Sequence, residues 1–561
     1  PTGWLYDATA TTMAEVRAAI GAEAMWSRGY TGEGVGVALI DTGVVPVEGL
    51  TSGNVRNAAD VSFDSLFDQG RWFDGFGHGT HMAGIIAGKD PAGLDPERFL
   101  GVAPDARLYN VKAGASDGGV DVSQVVAAID WVVAHRNDDP ANPIRVLNLS
   151  YGTDGVQDYR KDPLTHAVEN AWRAGIVVVV SGGNNGTDQP RLNNPAYDPY
   201  VLAVGASDTK GTVSASDDVV PAFSSRGDSA RRVDLVAPGR SIVSLRDRGS
   251  YIDEAHPTAR VDDRFFKGSG SSQAAAVTSG AVALLLQSRP NLKPDQVKAL
   301  LRDSAESMPY ADSAGRGRGE LDVYQAYLRS TPNSVQTWPQ STGLGSLEAA
   351  RGSQHVADGG VELTGEQHVL GPFSARKWAP ASSSFSAWDG GTWAGRDFTG
   401  TCLCADSWSG KAWAGKAWAG DTWAGKAWAG KAWAGKAWGQ IFLPRIGQEV
   451  VVTFVDGDPD RPLVTGSVYN AEQTVPYGLP AEATKSTIKS DSSKGSGGYN
   501  ELRFEDKKGE EEVWFHAQKD HNLVIENDRT KEVKHDEVNT IQNSRTTTVK
   551  DADDTLTIET G

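Results

Sequence analysis

The sequence predicts an α/β fold with a doubly wound, mainly parallel sheet, followed by an all-β tail. Three observations lead to this prediction. Short apolar runs alternate with stretches of helical spacing up to about residue 330. Tryptophan then recurs at every fifth position over a long stretch that ends at Trp438. Beyond Gly439 the composition changes to strand-like runs joined by polar turns.

The apolar runs of the first region are continuous, which is typical of parallel strands that are buried on both faces. The stretches between them have helical spacing, so we expect helices to cover the sheet. Residues 1–330 are therefore predicted to form one α/β domain. The predicted strands are Gly34–Ile40, Arg145–Ser150 and Ile176–Ser181, and the predicted helices are Val122–Arg136 and Pro163–Gly175.

A five-residue register fills residues 388–438, after a connecting segment of mixed composition at residues 331–387. Tryptophan occupies most positions of this register, and Phe398 and Leu403 occupy two of them. A period of five matches neither a helix nor a flat strand. A Gly- and Ala-rich stalk is the simpler interpretation, and a β-solenoid that stacks the tryptophans is the alternative.

The tail, residues 439–480 and 481–561, has the pattern of short β-strands separated by polar turns. Towards its end a single apolar residue recurs at every eighth position, which is too few to bury a core within a single chain. A narrow β-solenoid or prism, whose thin core is shared by several chains, satisfies this pattern, and a charged disordered tail is the alternative. The predicted strands are Glu449–Phe454, Pro462–Tyr469, Glu501–Asp506 and Glu512–Gln518, and the residues spaced by eight are Ile525, Val533, Ile541 and Val549.

Charge and composition exclude several classes of function. The chain has 72 acidic and 54 basic residues and a net charge of −18, which argues against nucleic acid or an anionic membrane as the main partner. It contains no run of about 18 apolar residues, so no membrane span is predicted. It begins at Pro1 without a signal peptide, as expected of a mature or trimmed product or of a fragment.

The two cysteines, Cys402 and Cys404, form no disulfide framework. We interpret them as incidental, with metal binding or oxidation as the alternative.

Two segments place reactive side chains at the ends of predicted elements. Asp41 ends the apolar strand of "VALIDTG", at the strand end where parallel sheets place active sites. D-T-G also marks aspartic proteases, but those enzymes need a second catalytic aspartate, and the sequence contains no second D-T-G. His78 lies in "GFGHGTHMAGIIAG", whose glycines let other backbone approach the imidazole. A zinc site with His81 is disfavoured, because H-x-x-H lacks the glutamate and the spacing of H-E-x-x-H. A structural histidine is the alternative for His78 taken alone.

Ser272 and Asn184 extend this set. Ser272 lies in "KGSGSSQAAAV" at the start of a long apolar helix, whose N-terminus stabilises developing negative charge. The pattern differs from the G-x-S-x-G of α/β-hydrolases, and a plain helix cap is the alternative. Asn184 follows the apolar strand of "VVVVSGGNNG", where its amide can donate to an oxyanion or close a turn.

The order Asp41, His78, Ser272 is the order found in subtilisin. Residues 1–330 resemble the subtilisin-like serine proteases: D-T-G, H-G-T-H and G-S-S-x-A-A match the three blocks of that family, and G-G-N-N-G matches its oxyanion block. "LNLSYG" resembles the family's substrate-binding strand, which assigns Ser150, Tyr151 and Gly152 to the S1 pocket. The departures from the family pattern are Ser271 in place of Thr, Gln273 in place of Met and Ala276 in place of Pro.

The resemblance implies a secreted serine endopeptidase with protein or peptide substrates. It implies that Ser272 is the nucleophile, that His78 is the general base held by Asp41, and that Asn184 binds the oxyanion with the Ser272 backbone N–H. Calcium is common in the family, but no ligands for it can be located in the sequence, and no metal site is assigned. The pro-segment that the family usually carries is not visible in residues 1–30.

The C-terminal region resembles two other patterns. The Trp-Ala-Gly tract resembles the W-x-G repeats that end some actinobacterial subtilisin-like proteases. Trp438–Pro480 and Asn500–Asp520 resemble the VgrG spike of type VI secretion systems, which implies the latter section of an OB-fold and then a trimeric β-helix. The large base and first OB strands of that family are absent. The resemblance implies a homotrimer formed through the tail.

Three hypotheses follow for the whole chain. The first is a subtilisin-like endopeptidase with a spike-like tail. The second is a structural spike component that carries a protease as cargo. The third is a chimeric sequence without a joint function, because "WAGKAWG" at Trp433–Gly439 fits both the repeat and the spike pattern.

Overall fold

A computed structural model describes residues 10–66, 71–92, 98–188, 191–358, 361–393, 396–397, 408–409, 449–454, 462–468, 474–492, 497–550, 555 and 557. Cys402, Cys404, most of the five-residue register and the turn after Phe454 lie outside these residues. The chain divides into two compact units, Pro1–Gly430 and Lys431–Gly561, which are described separately.

The first unit is built around a parallel sheet whose strands are mostly buried along their whole length. Its strands are β1 (Gly36–Asp41), β2 (Val55–Asp60), β3 (Arg107–Lys112), β4 (Ile144–Leu149), β5 (Val177–Ser181), β6 (Leu202–Ser207) and β7 (Leu235–Pro238). They are ordered β2-β3-β1-β4-β5-β6-β7, and every neighbouring pair is parallel. The doubly wound parallel sheet predicted from the continuous apolar runs is therefore confirmed, and the three predicted strands are β1, β4 and β5.

Helices and an antiparallel strand pair, β8 (Ile242–Leu245) with β9 (Phe265–Gly268), pack around this sheet. The two predicted helices are α4 and α5, and both begin at capping aspartates, Asp121 and Asp162. The helices are α1 (Met13–Ala19), α2 (Ala22–Trp26), α3 (His78–Ala87), α4 (Val122–His135), α5 (Pro163–Arg173), α6 (Tyr251–Ala255), α7 (Ser271–Ser288), α8 (Pro294–Ser304), α9 (Val323–Leu328), α10 (Leu347–Arg351) and α11 (Ala375–Ser383). Short 3-10 helices lie at Phe63–Leu66 and Pro257–Ala259.

The residues that follow α9 continue to pack on the first unit. Leu347, Ala350, Trp378 and Trp393 belong to the same buried core as the sheet. Two-residue strands occur along this stretch: β10 (Ala357–Asp358), β11 (Val361–Glu362), β12 (Gln367–His368), β13 (Gly371–Pro372), β14 (Trp388–Asp389), β15 (Thr392–Trp393), β16 (Arg396–Asp397) and β17 (Trp408–Ser409). The domain boundaries near residues 330, 387, 438 and 480 stay predictions.

The start of the five-residue register is anchored on α4. Trp388 and Trp393 face each other across the hairpin of β14 and β15. The Trp393 indole N–H donates to Asp130 Oδ2 at 2.8 Å, and the Trp388 indole N–H donates to the Ala127 carbonyl at 2.7 Å. Trp378 donates to the same Asp130 oxygen at 2.7 Å. The first two tryptophans of the register thus belong to the packed first unit, whereas most of the later register, apart from Arg396–Asp397 and Trp408–Ser409, lies outside the described residues.

The second unit contains antiparallel strands, which confirms the predicted all-β tail. β18 pairs with β19, and β20, β21 and β22 form a three-stranded sheet in that order. The four predicted strands of the tail correspond to β18, β19, β21 and β22. The strands are β18 (Glu449–Phe454), β19 (Pro462–Val468), β20 (Lys485–Asp491), β21 (Tyr499–Glu505) and β22 (Glu512–His516).

The apolar residues spaced by eight follow this sheet. Residues 517–550 are all described and contain no strand in the single chain. The side chains of Ile525, Val533, Ile541 and Val549 are 45–51% exposed. In one chain these apolar residues stay about half exposed, so the shared-core β-solenoid stays a prediction about an assembly.

A helix that crosses a bilayer must be both long and strongly apolar. Among the helices in the described ranges of the chain, none combines that length with that hydropathy.

Candidate active site

The candidate residues meet at one edge of the sheet. β1, β4 and β5 are parallel neighbours, so their carboxyl ends lie side by side. Asp41 is the last residue of β1, Ser150 follows the end of β4, and Asn184 lies shortly after the end of β5. His78 and Ser272 come from the first turns of α3 and α7, two helices that pack against each other.

Asp41 and His78 form a buried hydrogen-bonded pair. His78 Nδ1 lies 2.7 Å from Asp41 Oδ1, and the two side chains are only 5% and 1% exposed. Burial raises the pKa of Asp41, while the adjacent His78 and the Thr42 backbone N–H oppose that rise. A carboxylate on Nδ1 fixes the imidazole so that Nε2 is left to exchange protons with a substrate or a nucleophile.

A second buried carboxylate, Asp74, holds the start of α3, and its role was not predicted from the sequence. Its Oδ1 accepts the Gly77 N–H at 2.6 Å and the Thr42 hydroxyl at 2.7 Å, and its Oδ2 accepts the Thr80 N–H at 2.7 Å. A carboxylate satisfies the free N–H groups of a first helical turn and favours its positive dipole end. The signal in the sequence was an aspartate four residues before His78, directly before the glycine-rich stretch.

The glycines around His78 allow the close approach that was predicted. A Cβ at Gly79 would lie 2.1 Å from the Gly43 carbonyl oxygen, so only glycine fits there. The Gly79 N–H also donates to the Thr42 hydroxyl at 3.0 Å. These contacts hold the first turn of α3 against the end of β1, and thereby hold His78 beside Asp41.

The Asn184 side chain is oriented by Ser271. Asn184 Oδ1 accepts the Ser271 backbone N–H at 2.8 Å and the Ser271 hydroxyl at 3.0 Å, while the Gly183 N–H donates to that hydroxyl at 3.1 Å. Because the amide oxygen is committed to Ser271, the amide nitrogen is the group left to donate elsewhere. A Cβ at Gly270 would lie 3.1 Å from Asn184 Nδ2, which places this nitrogen beside the start of α7.

Ser272 is the second residue of α7 and is partly exposed, whereas Ser271 before it is fully buried. Ser150 donates its hydroxyl to the Ser272 carbonyl at 3.3 Å. The structure therefore forms two groups: Asp41 with His78, and Ser272 with Asn184 and Ser150. The N-terminus of α7 carries the positive end of the helix dipole, which favours negative charge at Ser272.

The subtilase family model matches residues 32–345, which is more than half of the chain. The chain belongs to the subtilase family. The resemblance inferred from the D-T-G, H-G-T-H and G-S-S-x-A-A blocks is confirmed. In this subtilase, serine replaces the family's usual threonine at position 271 and keeps the hydroxyl that orients Asn184.

Similar proteins match the two regions of this subtilase separately. Serine protease AprX of Bacillus subtilis (strain 168) is 37% identical over 298 residues, covering 52% of this chain and 66% of AprX. Minor extracellular protease Epr of the same strain is 33% identical over 266 residues, 47% of this chain and 34% of Epr. The type VI secretion system spike protein VgrG1b of Pseudomonas aeruginosa is 58% identical over 105 residues, 18% of this chain and 14% of VgrG1b. The chain thus spans less than two thirds of each of these relatives.

Two further family models match the tail of this subtilase. The type VI secretion system/phage-baseplate injector OB domain matches residues 415–469, and the bacteriophage T4 gp5 C-terminal trimerisation domain matches residues 486–560. These matches confirm the predicted spike-like resemblance of the tail. The first of them begins inside the Trp register.

The predicted substrate-binding residues of the subtilase have unequal roles in the structure. Tyr151 is only 2% exposed as a whole residue, so its side chain is packed in the core and presents no surface to a ligand in this structure. Gly152 faces Asn193, where an added Cβ would lie 2.8 Å from the Asn193 Cβ. Asn193 also limits the space at Gly183, where an added Cβ would lie 2.9 Å from Asn193 Oδ1. Asn193 thus lies between the segments that contain Gly152 and Gly183. No pattern in the sequence predicted this position for Asn193.

A metal site requires several acidic, histidine or cysteine side chains that converge on one point. Within the described ranges, no group of three or more such residues has a geometry that could hold a metal ion, so no calcium ligands are assigned. His81 is fully buried on α3, and burial lowers its pKa to about 3, with His78 adding to the effect. The ring of His81 packs edge-on against Phe266 at a centroid distance of 6.5 Å.

We expect His81 to make the folded state sensitive to acid. Its pKa is about 3 when folded against an ordinary value of 6.5, so the unfolded state binds the extra proton between these values. The contribution of neutral His81 to the free energy of unfolding is complete above pH 6.5 and is lost as the pH falls. The free energy of unfolding should therefore fall by about 2 kcal/mol between pH 7.5 and pH 5. Urea unfolding at both pH values measures it. In His81→Asn the pH-dependent loss should be smaller by that amount, and an unchanged loss would contradict the assignment.

Proposed function

We propose that this subtilase is a serine endopeptidase that hydrolyses protein or peptide substrates through Asp41, His78 and Ser272. The observation that carries the proposal is the buried 2.7 Å hydrogen bond between His78 and Asp41, at the sheet edge where Ser272 lies in the first turn of α7. Asn184 lies beside this helix start with its amide nitrogen directed away from Ser271. The arrangement supplies a base, a partly exposed serine and oxyanion donors.

The first half of the reaction forms an acyl-enzyme. Ser272 Oγ attacks the scissile carbonyl carbon while its proton passes to His78 Nε2. The C–N bond then breaks, and His78 returns that proton to the leaving amine. In the second half, water adds to the ester, its proton passes to His78, and the Ser272 oxygen leaves with that proton. The Asp41 carboxylate stabilises the imidazolium at each stage.

The negative charge of each tetrahedral intermediate develops beside α7. Asn184 Nδ2 and the Ser272 backbone N–H are the donors for this oxyanion. One such donor is worth on the order of 10²–10³ in kcat, which is the scale known for subtilisin. Ser271 is a positioning residue here, because its N–H and hydroxyl hold the Asn184 carbonyl oxygen at 2.8 and 3.0 Å.

A peptide p-nitroanilide and a serine-directed fluorophosphonate test the proposal on the full chain. We expect release of p-nitroaniline, its loss after fluorophosphonate treatment, and a mass label on the peptide that contains Ser272. Hydrolysis that persists after complete labelling, or a label at another serine, would contradict the assigned nucleophile. We also propose that the protein acts outside the cell; the name of the relative Epr, a minor extracellular protease, supports this location.

A second proposed function is that of a spike component, for which the tail provides the support. The trimerisation-domain match covers residues 486–560, and Val533 and Ile541 leave about half of their side-chain surface exposed in the single chain. A homotrimer would bury these residues in a shared core.

Light scattering should therefore give the mass of three chains for the full-length protein. Val533→Asp combined with Ile541→Asp should shift it to one chain, because charged groups cannot enter a thin apolar core. Val538→Asp is the matched control, since Val538 is 86% exposed and lies outside the eight-residue spacing. A monomeric unsubstituted chain would contradict the spike role and favour a chimeric chain whose peptidase acts alone.

A further inference from the structure

The stretch that follows α9 contacts the segment next to the predicted substrate-binding residues. We call residues 331–358 and 361–393 the extension. The Thr153 hydroxyl donates to the Ala350 carbonyl of the extension at 2.5 Å, and the Asn194 amide donates to the same oxygen at 3.4 Å. Thr153 and Asn194 also exchange two backbone hydrogen bonds of 2.9 Å. A single carbonyl of the extension thus joins two chain segments near the site.

The backbone of the extension lies unusually close to residues 154 and 155. A Cβ at Gly155 would lie 2.7 Å from the Ala349 carbonyl oxygen, so the two backbones are in direct contact. On the other side, the Ser353 N–H donates to Asp154 Oδ1 at 2.7 Å. Gly352 has a φ of +73°, and a Cβ there would lie 2.0 Å from Asp154 Oδ1. The extension therefore follows the shape of residues 153–155 closely.

Arg351 holds this section of the extension in place. Its guanidinium pairs with Asp121 at 2.6 Å, and both side chains are only 1% exposed. It also contacts Glu348 at 2.9 Å and donates to the Gly365 carbonyl at 2.7 Å. Asp121 caps α4, so Arg351 ties α10 directly to the helix that packs against β1. A buried arginine with several fixed acceptors is a rigid anchor.

Residues 150–153 connect this anchor to the site. Gly152 packs on Asn193, where an added Cβ would lie 2.8 Å from the Asn193 Cβ. Ser150 donates its hydroxyl to the Ser272 carbonyl at 3.3 Å. A displacement of Thr153 is therefore passed along a short stretch of backbone to Ser150 and Gly152, which extended peptide substrates are expected to contact.

We propose that the extension is a positioning element of the peptidase. The Ala350 carbonyl, held by Arg351, sets the position of the substrate-binding segment through Thr153. The proposal rests on the proposed endopeptidase function, and it assigns no chemistry to the extension itself. It predicts that substrate binding depends on a hydrogen bond to residues that lie beyond α9.

Thr153→Val in the full chain is the direct test, because it removes the donor and keeps the size of the side chain. One hydrogen bond of this kind is worth about 1 kcal/mol, so we expect KM for a peptide p-nitroanilide to rise about fivefold. We expect kcat per labelled site to stay within about twofold, since a displaced binding segment weakens ground-state and transition-state binding alike. A partly unfolded sample would have fewer labelled sites but the same KM. Misfolding of the variant is therefore distinguished from weaker substrate binding by the folded variant.

Two further variants complete the test. Thr153→Ser keeps the hydroxyl and should restore KM. Thr392→Val removes a hydroxyl that donates to the Asp389 carbonyl elsewhere in the extension, and it should leave KM unchanged. Normal labelling of Thr153→Val with an unchanged KM would overturn the positioning role of the extension and would leave the endopeptidase assignment intact. Absence of labelling in the unsubstituted chain would instead overturn the endopeptidase assignment.

Discussion

Ser272→Ala is expected to abolish peptide hydrolysis by the full chain. Without the hydroxyl no acyl-enzyme can form, and the base at His78 has no proton to remove from the enzyme. The loss in kcat should be on the order of 10⁶-fold, the scale known for subtilisin without its serine. Release of p-nitroaniline at saturating substrate measures it, with the protein concentration fixed by absorbance.

The fold should survive this substitution. Ser272 is partly exposed, and the hydrogen bond that it accepts from Ser150 uses its backbone carbonyl, which alanine retains. Ser288→Ala, at the other end of the same helix, is the matched control and should keep the unsubstituted kcat. A Ser272→Ala protein that cleaves casein at the unsubstituted rate would overturn the assigned nucleophile.

Trp393→Ala is expected to lower the free energy of unfolding of the first unit by about 3–5 kcal/mol, the range for removing a buried tryptophan. The Trp393 side chain is fully buried and packs near His368 and Phe373. Its removal also deprives Asp130 of a donor at 2.8 Å. Burial already raises the pKa of Asp130 to about 6, and Trp378 and Ser382 would remain as its partners.

Urea unfolding followed by tryptophan fluorescence measures this loss. Trp338→Ala is the control, because Trp338 belongs to the extension but is 54% exposed. The hydrogen bond that Trp338 accepts from the Tyr200 hydroxyl uses its backbone carbonyl, which the control retains. Equal and small losses for both variants would show that Trp393 contributes no more stability than an exposed tryptophan.

Local patterns were sufficient to select the candidate site residues and to predict the strands that carry several of them. β1, β4 and β5 could be predicted because strands buried on both faces are continuously apolar, and this property is visible in a few adjacent residues. Asp41, His78, Ser272 and Asn184 could be selected because each lies at an element end among small residues. The roles proposed for them rest on a family resemblance and on the 2.7 Å contact between His78 and Asp41.

Contacts between distant residues were beyond the reach of those patterns. Asp74 is a short polar residue in a loop until the fold brings the Thr42 hydroxyl to it, 32 residues away in sequence. The same applies to Ser271, whose partner Asn184 lies 87 residues earlier. Each hydrogen bond exists only when two separate elements pack, so neither segment contains a signal of it.

The sequence by itself determined a doubly wound α/β domain, an all-β tail and the residues of the candidate site, because these depend on local apolar spacing and short motifs. Only the tertiary structure showed that residues beyond α9 pack into the same buried core as the sheet. The composition of these residues is mixed. They are held in place by contacts with distant residues, such as Arg351 with Asp121 and Trp393 with Asp130, which are 230 and 263 residues apart in the sequence. Chain folding creates those pairs, and no local period encodes them.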